Sequence, residues 1–279
     1  MVKWQELKRD VIKSLTENGM KDAATEANLL FELAVGERAL GKKDFLLTEE
    51  QAKVLQTALQ KRISGYPMQY LLGEWAFLDF SVKVGPGVLV PRQDTEVVCE
   101  QAISLGSLMQ ALPAVILDLC SGSGIIALAI KKAFPLARVT AVEKEEEAFF
   151  YLRQNIKNTG IIAEQADIFT YQKELEKETV DLIISNPPYL TEDEMQHLQR
   201  EVSFEPANAL AGGKDGYLFY KHIIAEYFFA LKKGGALVLE IGSSQKSNVI
   251  LLCEKAGFST VGCVQDYSGN DRCVWAVKE

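Results

Sequence analysis

Histidine is nearly missing from this chain: His197 and His222 are the only two in 279 residues. That scarcity argues against a zinc site and against a histidine-based acid–base pair. Both histidines read as surface or packing residues. The five cysteines, Cys99, Cys120, Cys253, Cys263 and Cys273, are odd in number and scattered, with no Cys-x-x-Cys pair. Reduced thiols and a cytoplasmic location are expected from such a set, and no metal is. No apolar run reaches membrane-spanning length, so no transmembrane helix and no membrane partner are expected. The stretch Met1 to Glu6 reads as the start of an amphipathic helix and not as a signal peptide. Positive charge is in deficit: 30 Lys and Arg face 38 Asp and Glu, for a net charge of −8. With an acidic balance and no Lys/Arg run to support a basic patch, direct binding to nucleic acid is not expected. Internal repeats and low-complexity linkers are missing too.

What is present is enough apolar material for a sizeable core, 48% of the residues. The length suits one large domain or two ordinary ones. The pattern changes near residue 75. Before it, Trp4, Leu7, Val11 and Leu15 recur at helical spacing. Leu29, Leu30 and Leu33 make a second stripe, and Val54, Leu55, Ala58, Leu59 and Ile63 a third. Asn18-Gly19 and Ser64-Gly65-Tyr66-Pro67 mark breaks. Residues 1–74 thus read as a small helical domain. Residues 75–90 alternate through Phe77, Phe80, Val82 and Val84 and read as a β-hairpin linker. In residues 91–279, strands at Ala114–Cys120, Arg138–Glu143, Ile161–Ala166, Val180–Ser185 and Ala236–Gly242 alternate with helices at Ile125–Phe134, Glu145–Thr159 and Tyr217–Lys233. That order predicts an α/β, Rossmann-like domain built on a mostly parallel sheet. An antiparallel hairpin, Thr260–Asp266 with Arg272–Val277, closes it.

The strand ending at Cys120 is followed by Ser121-Gly122-Ser123-Gly124 and then a helix. Glycines let a backbone approach a ligand, and the helix start offers free N–H groups. Glu143, at the end of the next strand, stands where a carboxylate binds ribose hydroxyls. Gly122-x-Gly124-x-x-Ala127 also fits a dinucleotide fingerprint, so a nicotinamide cofactor and S-adenosylmethionine both remain open on this loop. Asp118 beside the loop would oppose a pyrophosphate but can face an ammonium group.

The other unusual stretch is Asn186-Pro187-Pro188-Tyr189, directly after a buried strand. Two prolines cannot extend a ladder and hold a stiff turn whose carbonyls can point outward. Asn186 adds a side-chain acceptor and Tyr189 a flat face. The four make a cup suited to a planar NH₂ group, which gives a methyl donor a target.

These motifs resemble the glutamine N5-methyltransferases of peptide chain release factors (the PrmC/HemK type), within the class I methyltransferases. The resemblance runs through Gly65-Tyr66-Pro67-Met68-Gln69-Tyr70-Leu71-Leu72-Gly73 and Val88-Leu89-Val90-Pro91-Arg92-Gln93-Asp94-Thr95-Glu96. It continues through Leu117 to Gly124, the Asn-Pro-Pro-Tyr cup, Phe204-Glu205-Pro206, Ala209 to Gly216, and Leu239-Glu240-Ile241-Gly242. Two positions depart: Cys120 stands where many class I enzymes have glycine, and Glu143 where Asp is common. The resemblance implies S-adenosylmethionine as methyl donor, S-adenosylhomocysteine as product, and the glutamine of a Gly-Gly-Gln loop in a release factor as substrate, in translation termination. It also implies that the helical domain recognises that protein substrate.

On this reading Cys120, Ser121, Gly122, Ser123 and Gly124 pass the methionine part of the cofactor. Glu143 holds the ribose, Asp167 and Ile168 flank the adenine, and Asn186 lies between cofactor and substrate. Asn186, Pro187, Pro188 and Tyr189 hold the amide. Asp167 has a plainer use as a helix N-cap, and Arg92 either lines the substrate entrance or forms a structural ion pair. Two rival functions share these motifs: amino-group methylation of a nucleic-acid base, and a non-catalytic interaction module that keeps a cofactor-shaped fold.

Overall fold

The structure, a computed structural model, describes residues 4–36, 46–107 and 114–279. Met1 to Lys3 and the Trp4 side chain, which the first expected stripe includes, lie outside the described residues. The chain divides into two compact units. One comprises Met1–Glu74 with Gln199–Phe204, the other Trp75–Leu198 with Glu205–Glu279.

The smaller unit is helical: α1 Trp4–Glu17, α2 Ala23–Val35, α3 Glu49–Ile63 and α4 Met68–Leu72. Its core gathers Val11, Leu15, Leu30, Phe31, Leu55 and Met68, so the three stripes do face inward. Val54 is the exception. It lies one residue, about 100° of helix turn, from Leu55, and is exposed. A capping box starts α3, with the Thr48 hydroxyl accepting from the Gln51 N–H and the Gln51 side chain accepting from the Thr48 N–H. Near the end of α3, the buried Arg62 guanidinium donates to both Glu26 oxygens, at 2.7 and 2.9 Å, and to Glu201 at 2.9 Å. Gly65 has φ +92°, and a Cβ there would lie 2.6 Å from Cγ of Arg200. Tyr66 meets Phe204 edge-on, with ring centroids 5.5 Å apart. These contacts make the hexapeptide 199–204 part of the helical unit.

The larger unit is α/β. Strands β1 Glu74–Phe77 and β2 Phe80–Lys83 form a two-stranded sheet. Phe77, Val82 and Val84 are buried in the main core of this unit, so residues 75–90 pack as part of its body. Then come α5 Asp94–Ser107, β3 Val115–Leu119, α6 Ile125–Ala133, β4 Arg138–Glu143, α7 Glu146–Asn155, β5 Ile162–Gln165 and α8 Ile168–Tyr171. They are followed by β6 Val180–Ser185, α9 Glu192–Gln196, α10 Leu218–Tyr227, β7 Leu231–Glu240, α11 Lys246–Ala256, β8 Thr260–Gln265 and β9 Asp271–Val277. The seven-stranded sheet has the order β5-β4-β3-β6-β7-β9-β8. Pairing is parallel from β5 to β7 and antiparallel where β9 joins β7 and β8.

Side chains alternate across the sheet as the pleat requires. Ile116, Leu182, Ile184 and Val238 face one core, with residues of α5, α6 and α7. Leu117, Leu119, Ile183 and Leu239 face the other, with α10 and α11. The central strands are therefore apolar on both faces, as a covered parallel sheet demands. The expected helix over Tyr217–Lys233 is shorter than its apolar pattern. After a single 3₁₀ turn at Phe228–Ala230, Leu231 pairs with Val180 and the chain is already strand. Tertiary pairing there overrides the helical period. The helix expected over Glu145–Thr159 ends at Asn155, and Asn158 and Gly160 then adopt positive φ.

Candidate active site

The C-terminal ends of β4, β3 and β6 lie side by side in the sheet, and the site is built on them. Neighbouring strands are about 4.8 Å apart, so the ends of β4 and β6 are roughly 10 Å from each other across β3. A cavity of about 690 Å³ opens there. Cys120, Ser121, Gly122, Ser123, Glu143, Asp167, Ile168, Asn186 and Pro188 line it. Gly124, Pro187 and Tyr189 do not.

The loop after β3 has three residues in the left-handed region: Cys120 at φ +57°, Gly122 at +55° and Gly124 at +85°. Two are glycine, which adopts it without strain. The third is the cysteine at the unusual position. Hydrogen bonds hold the loop: Ser121 N–H donates to Val142 at 3.0 Å and Gly124 N–H to Ser121 at 2.8 Å. Beneath it lies Asp118, fully buried. Its Oδ2 accepts from the Ser121 hydroxyl at 2.5 Å and from the Ala127 N–H at 3.1 Å. Its Oδ1 has no hydrogen-bond partner, and burial raises its pKa to about 7. From its place beside the loop, Asp118 can face an ammonium group. The structure instead turns it under the loop, where it ties the turn to the first residues of α6. Gly124 starts α6 from the left-handed region, and a Cβ there would lie 2.6 Å from Leu152, so this glycine serves loop packing.

Glu143 is buried and faces the cavity with its backbone bonds made. Oε2 accepts from Gly122 N–H and Oε1 from Glu145 N–H, both at 2.8 Å. Each carboxylate oxygen has a second lone pair for a hydroxyl. Desolvation raises its pKa. Asp167 is the helix N-cap of its plainer reading and also lines the cavity. Its side chain caps α8 by accepting from Phe169 N–H at 2.9 Å, it pairs with Lys144 at 3.1 Å, and it lines the cavity beside Ile168 and Phe169. Phe169 was missed; a single aromatic after a short strand leaves no periodic signal.

Asn186 follows β6 directly. Its Nδ2 donates to Oγ1 of Thr95 at 3.3 Å. Pro188 is buried, and the chain after it is braced from two sides. The glycine-rich segment runs alongside, with Leu190 N–H donating to Leu210 at 2.9 Å and Gly212 N–H to Leu190 at 2.8 Å. A Cβ on Gly212 would lie 2.6 Å from Cα of Tyr189, so only glycine allows that approach. From the other side, Gln245 donates to the Tyr189 carbonyl at 3.0 Å. The Tyr189 ring packs beside the second core, and burial pushes its hydroxyl up to about 12. The expected stacking plate is therefore turned away from the cavity and into the fold. Arg92 forms the structural ion pair of one reading, with Glu205, whose other oxygen accepts from Val90 N–H at 3.0 Å, and it also lines the cavity. Among the described residues, no group of three or more His, Cys, Asp or Glu side chains could hold a metal ion. No helix of the described residues is long and apolar enough to cross a membrane.

Residues 92–266 match the Methyltransferase small domain family, and residues 6–73 the PrmC N-terminal domain. The chain is 38% identical over 232 residues to the release factor glutamine methyltransferase of Thermodesulfovibrio yellowstonii, covering 81% of each. It is 33% identical to the enzyme of that name from Moorella thermoacetica, covering 96% of each chain. The chain belongs to the release factor glutamine methyltransferase family. A crystal structure of a methyltransferase from Pyrococcus furiosus, 23% identical, covers 80% of this chain and 97% of its own with a TM-score of 0.52, in agreement on the fold. The cavity chemistry suits the methyl donor of such enzymes, S-adenosylmethionine. Glu143 offers acceptors for a diol, Asp167 an acceptor for an amino group, and Val142, Ile168 and Phe169 apolar walls for a base.

Proposed function

We propose that this protein methylates the side-chain amide nitrogen of the glutamine in the Gly-Gly-Gln loop of a peptide chain release factor, in the cytoplasm. The observation that best supports this is the meeting of two kinds of group in one cavity. Glu143 and Asp167 suit a nucleoside, and Asn186 and Pro188 suit an NH₂ group. S-adenosylmethionine, when bound, supplies an electrophilic methyl group on its sulfonium.

A carboxamide nitrogen is a weak nucleophile, because its lone pair is shared with the carbonyl. The Asn186 side-chain oxygen and the Pro188 carbonyl accept its two N–H groups. As the new N–C bond forms and the methyl–sulfur bond breaks, positive charge develops on that nitrogen. Fixed, preorganised acceptors stabilise it. They also hold the nitrogen in line, where orientation lowers the barrier most. The extra proton then passes to water. Cys120 to Ser123 shape the wall along the donor's amino-acid tail, Gly124 sets the turn and starts α6, and Ile168 packs against its base. Pro187 and Tyr189 keep the turn rigid from behind. The two glycines of the substrate loop let its backbone enter without side-chain clashes. The helical unit, which carries none of these groups, serves to recognise the release factor.

The test offers the protein and labelled S-adenosylmethionine to a release factor and, separately, to duplex DNA. Mass spectrometry should find one added methyl on the Gly-Gly-Gln glutamine. Methylation of a DNA base in its place overturns the proposal.

A further inference from the structure

Asn186 is useful to an NH₂ substrate only one way round. Its amide has an acceptor end and a donor end of nearly the same shape, and only the oxygen suits the substrate. Three elements meet where this choice is made. β6 and β7 pair in parallel with Ser185 opposite Leu239, so Asn186 and Glu240 are the next residues on adjacent strands. Thr95, in the first turn of α5, is buried against both. The Thr95 hydroxyl donates to Oε2 of Glu240 at 2.7 Å, and Nδ2 of Asn186 donates to that same hydroxyl at 3.3 Å.

We infer that Thr95 and Glu240 are positioning residues that fix the Asn186 amide with its oxygen toward the substrate. The inference rests on Asn186 being the acceptor for the transferred nitrogen. A carboxylate can only accept hydrogen bonds, and a hydroxyl has a single proton to give. Once Thr95 gives that proton to Glu240, it can only accept from Asn186. The NH₂ end of Asn186 must then face Thr95, which leaves Oδ1 for the substrate. A reversed amide would set its oxygen against the lone pairs of Thr95 and offer the substrate NH₂ a donor. Stability alone gives little reason for the arrangement. Glu240 is 1% exposed, and burying a carboxylate against a neutral hydroxyl is costly. Desolvation raises its pKa to about 7 against the Thr95 hydrogen bond and Arg272, so above neutral pH Glu240 is the carboxylate this arrangement needs.

The test is a double-mutant cycle on the full chain with a release factor, above neutral pH. Turnover, KM and binding of S-adenosylhomocysteine are measured separately. Thr95→Val should lower turnover by roughly 10- to 100-fold, the scale of a hydrogen bond to a charged group. KM and cofactor binding should barely move, and Thr95→Ser should restore the rate. Combined with Asn186→Ala, Thr95→Val should add no further loss, because both act through one amide. A Thr95→Val protein as fast as the parent, or losses that multiply in the double variant, would overturn the inference. If Asn186→Ala alone leaves the rate intact, it is the active-site assignment that fails. Should Thr95→Val melt early, Glu240→Leu with Asn186→Ala completes the same cycle.

Discussion

The N–H of Gly122 donates to Oε2 of Glu143 at 2.8 Å, so the loop after β3 and the end of β4 are joined before any ligand arrives. Glu143 holds the glycine loop, and in the proposed function it also offers acceptors to the ribose diol. Glu143→Ala should weaken S-adenosylmethionine binding by more than one hydroxyl contact would, on the order of 1.5–3 kcal/mol per charge-assisted bond lost. Calorimetry measures it. Unchanged affinity would remove Glu143 from the site.

Cys120 occupies the left-handed region at φ +57°. A residue with a Cβ is strained there by roughly 1–2 kcal/mol. Cys120→Gly should stabilise the protein by about 0.5–1 kcal/mol after its greater unfolded-state entropy is subtracted. Urea unfolding reads this directly, and a loss of stability would show that the thiol packs better than the backbone is strained.

Asp118 and Glu240 are buried carboxyls with pKa raised to about 7. Their unfolded values are lower, so between roughly pH 4.5 and 7 the folded state holds protons that the unfolded state has released. Stability from this source is fully present below that window and falls as pH rises through it. Asp118→Asn should flatten the slope of unfolding free energy between about pH 5.5 and 7.5, by on the order of 1–2 kcal/mol across the range. An equal slope in parent and variant would mean that Asp118 titrates normally.

Gly212 lies against the backbone of Tyr189, where an added Cβ would come within 2.6 Å. Gly212→Ala must push that turn, at a cost of about 1–3 kcal/mol. It should impair methyl transfer while leaving cofactor binding nearly intact. Weakened cofactor binding with normal turnover would contradict the bracing role.

Arg62 satisfies Glu26 and Glu201 together from a buried position. Arg62→Met should free residues 199–204 to exchange their amide hydrogens while α1 to α3 remain protected. Loss of protection throughout the helical unit would mean that Arg62 supports the whole bundle.

Much of this fold could be read from local pattern. Strands such as Val180–Ser185 are buried at every position and carry a run of apolar residues because the sheet is covered on both faces, and that pattern needs no partner to be recognised. Cys120 to Ser123, Glu143, Asp167 and Asn186 stand out in the sequence because they follow strand ends, and the structure brings them to one cavity. Other features depend on distant residues. The inward turn of Tyr189 follows from Gln245 and Gly212, which lie far along the sequence, and the burial of Asp118 follows from Ser121 and Ala127 closing over it. Helices α5 and α11 were not seen: α5 buries consecutive residues, Val97, Val98 and Cys99, where one stripe would skip positions, and α11 buries only Val249 and Cys253 and leaves Leu251 exposed. The link from Thr95 to Glu240 spans strands and helix, and nothing in either local sequence announces it.

The hexapeptide 199–204 has a further consequence. The chain passes between the two units after residues 74, 198 and 204. The helical unit is therefore not a bead at one end of a string. Cutting the chain at residue 74 would leave six of its residues behind, with Glu201 deprived of Arg62. Any exchange of this unit between relatives, by evolution or at the bench, has to carry two pieces of sequence at once. On the proposed recognition role of the helical unit, substrate preference should then move with the hexapeptide as well as with the bundle.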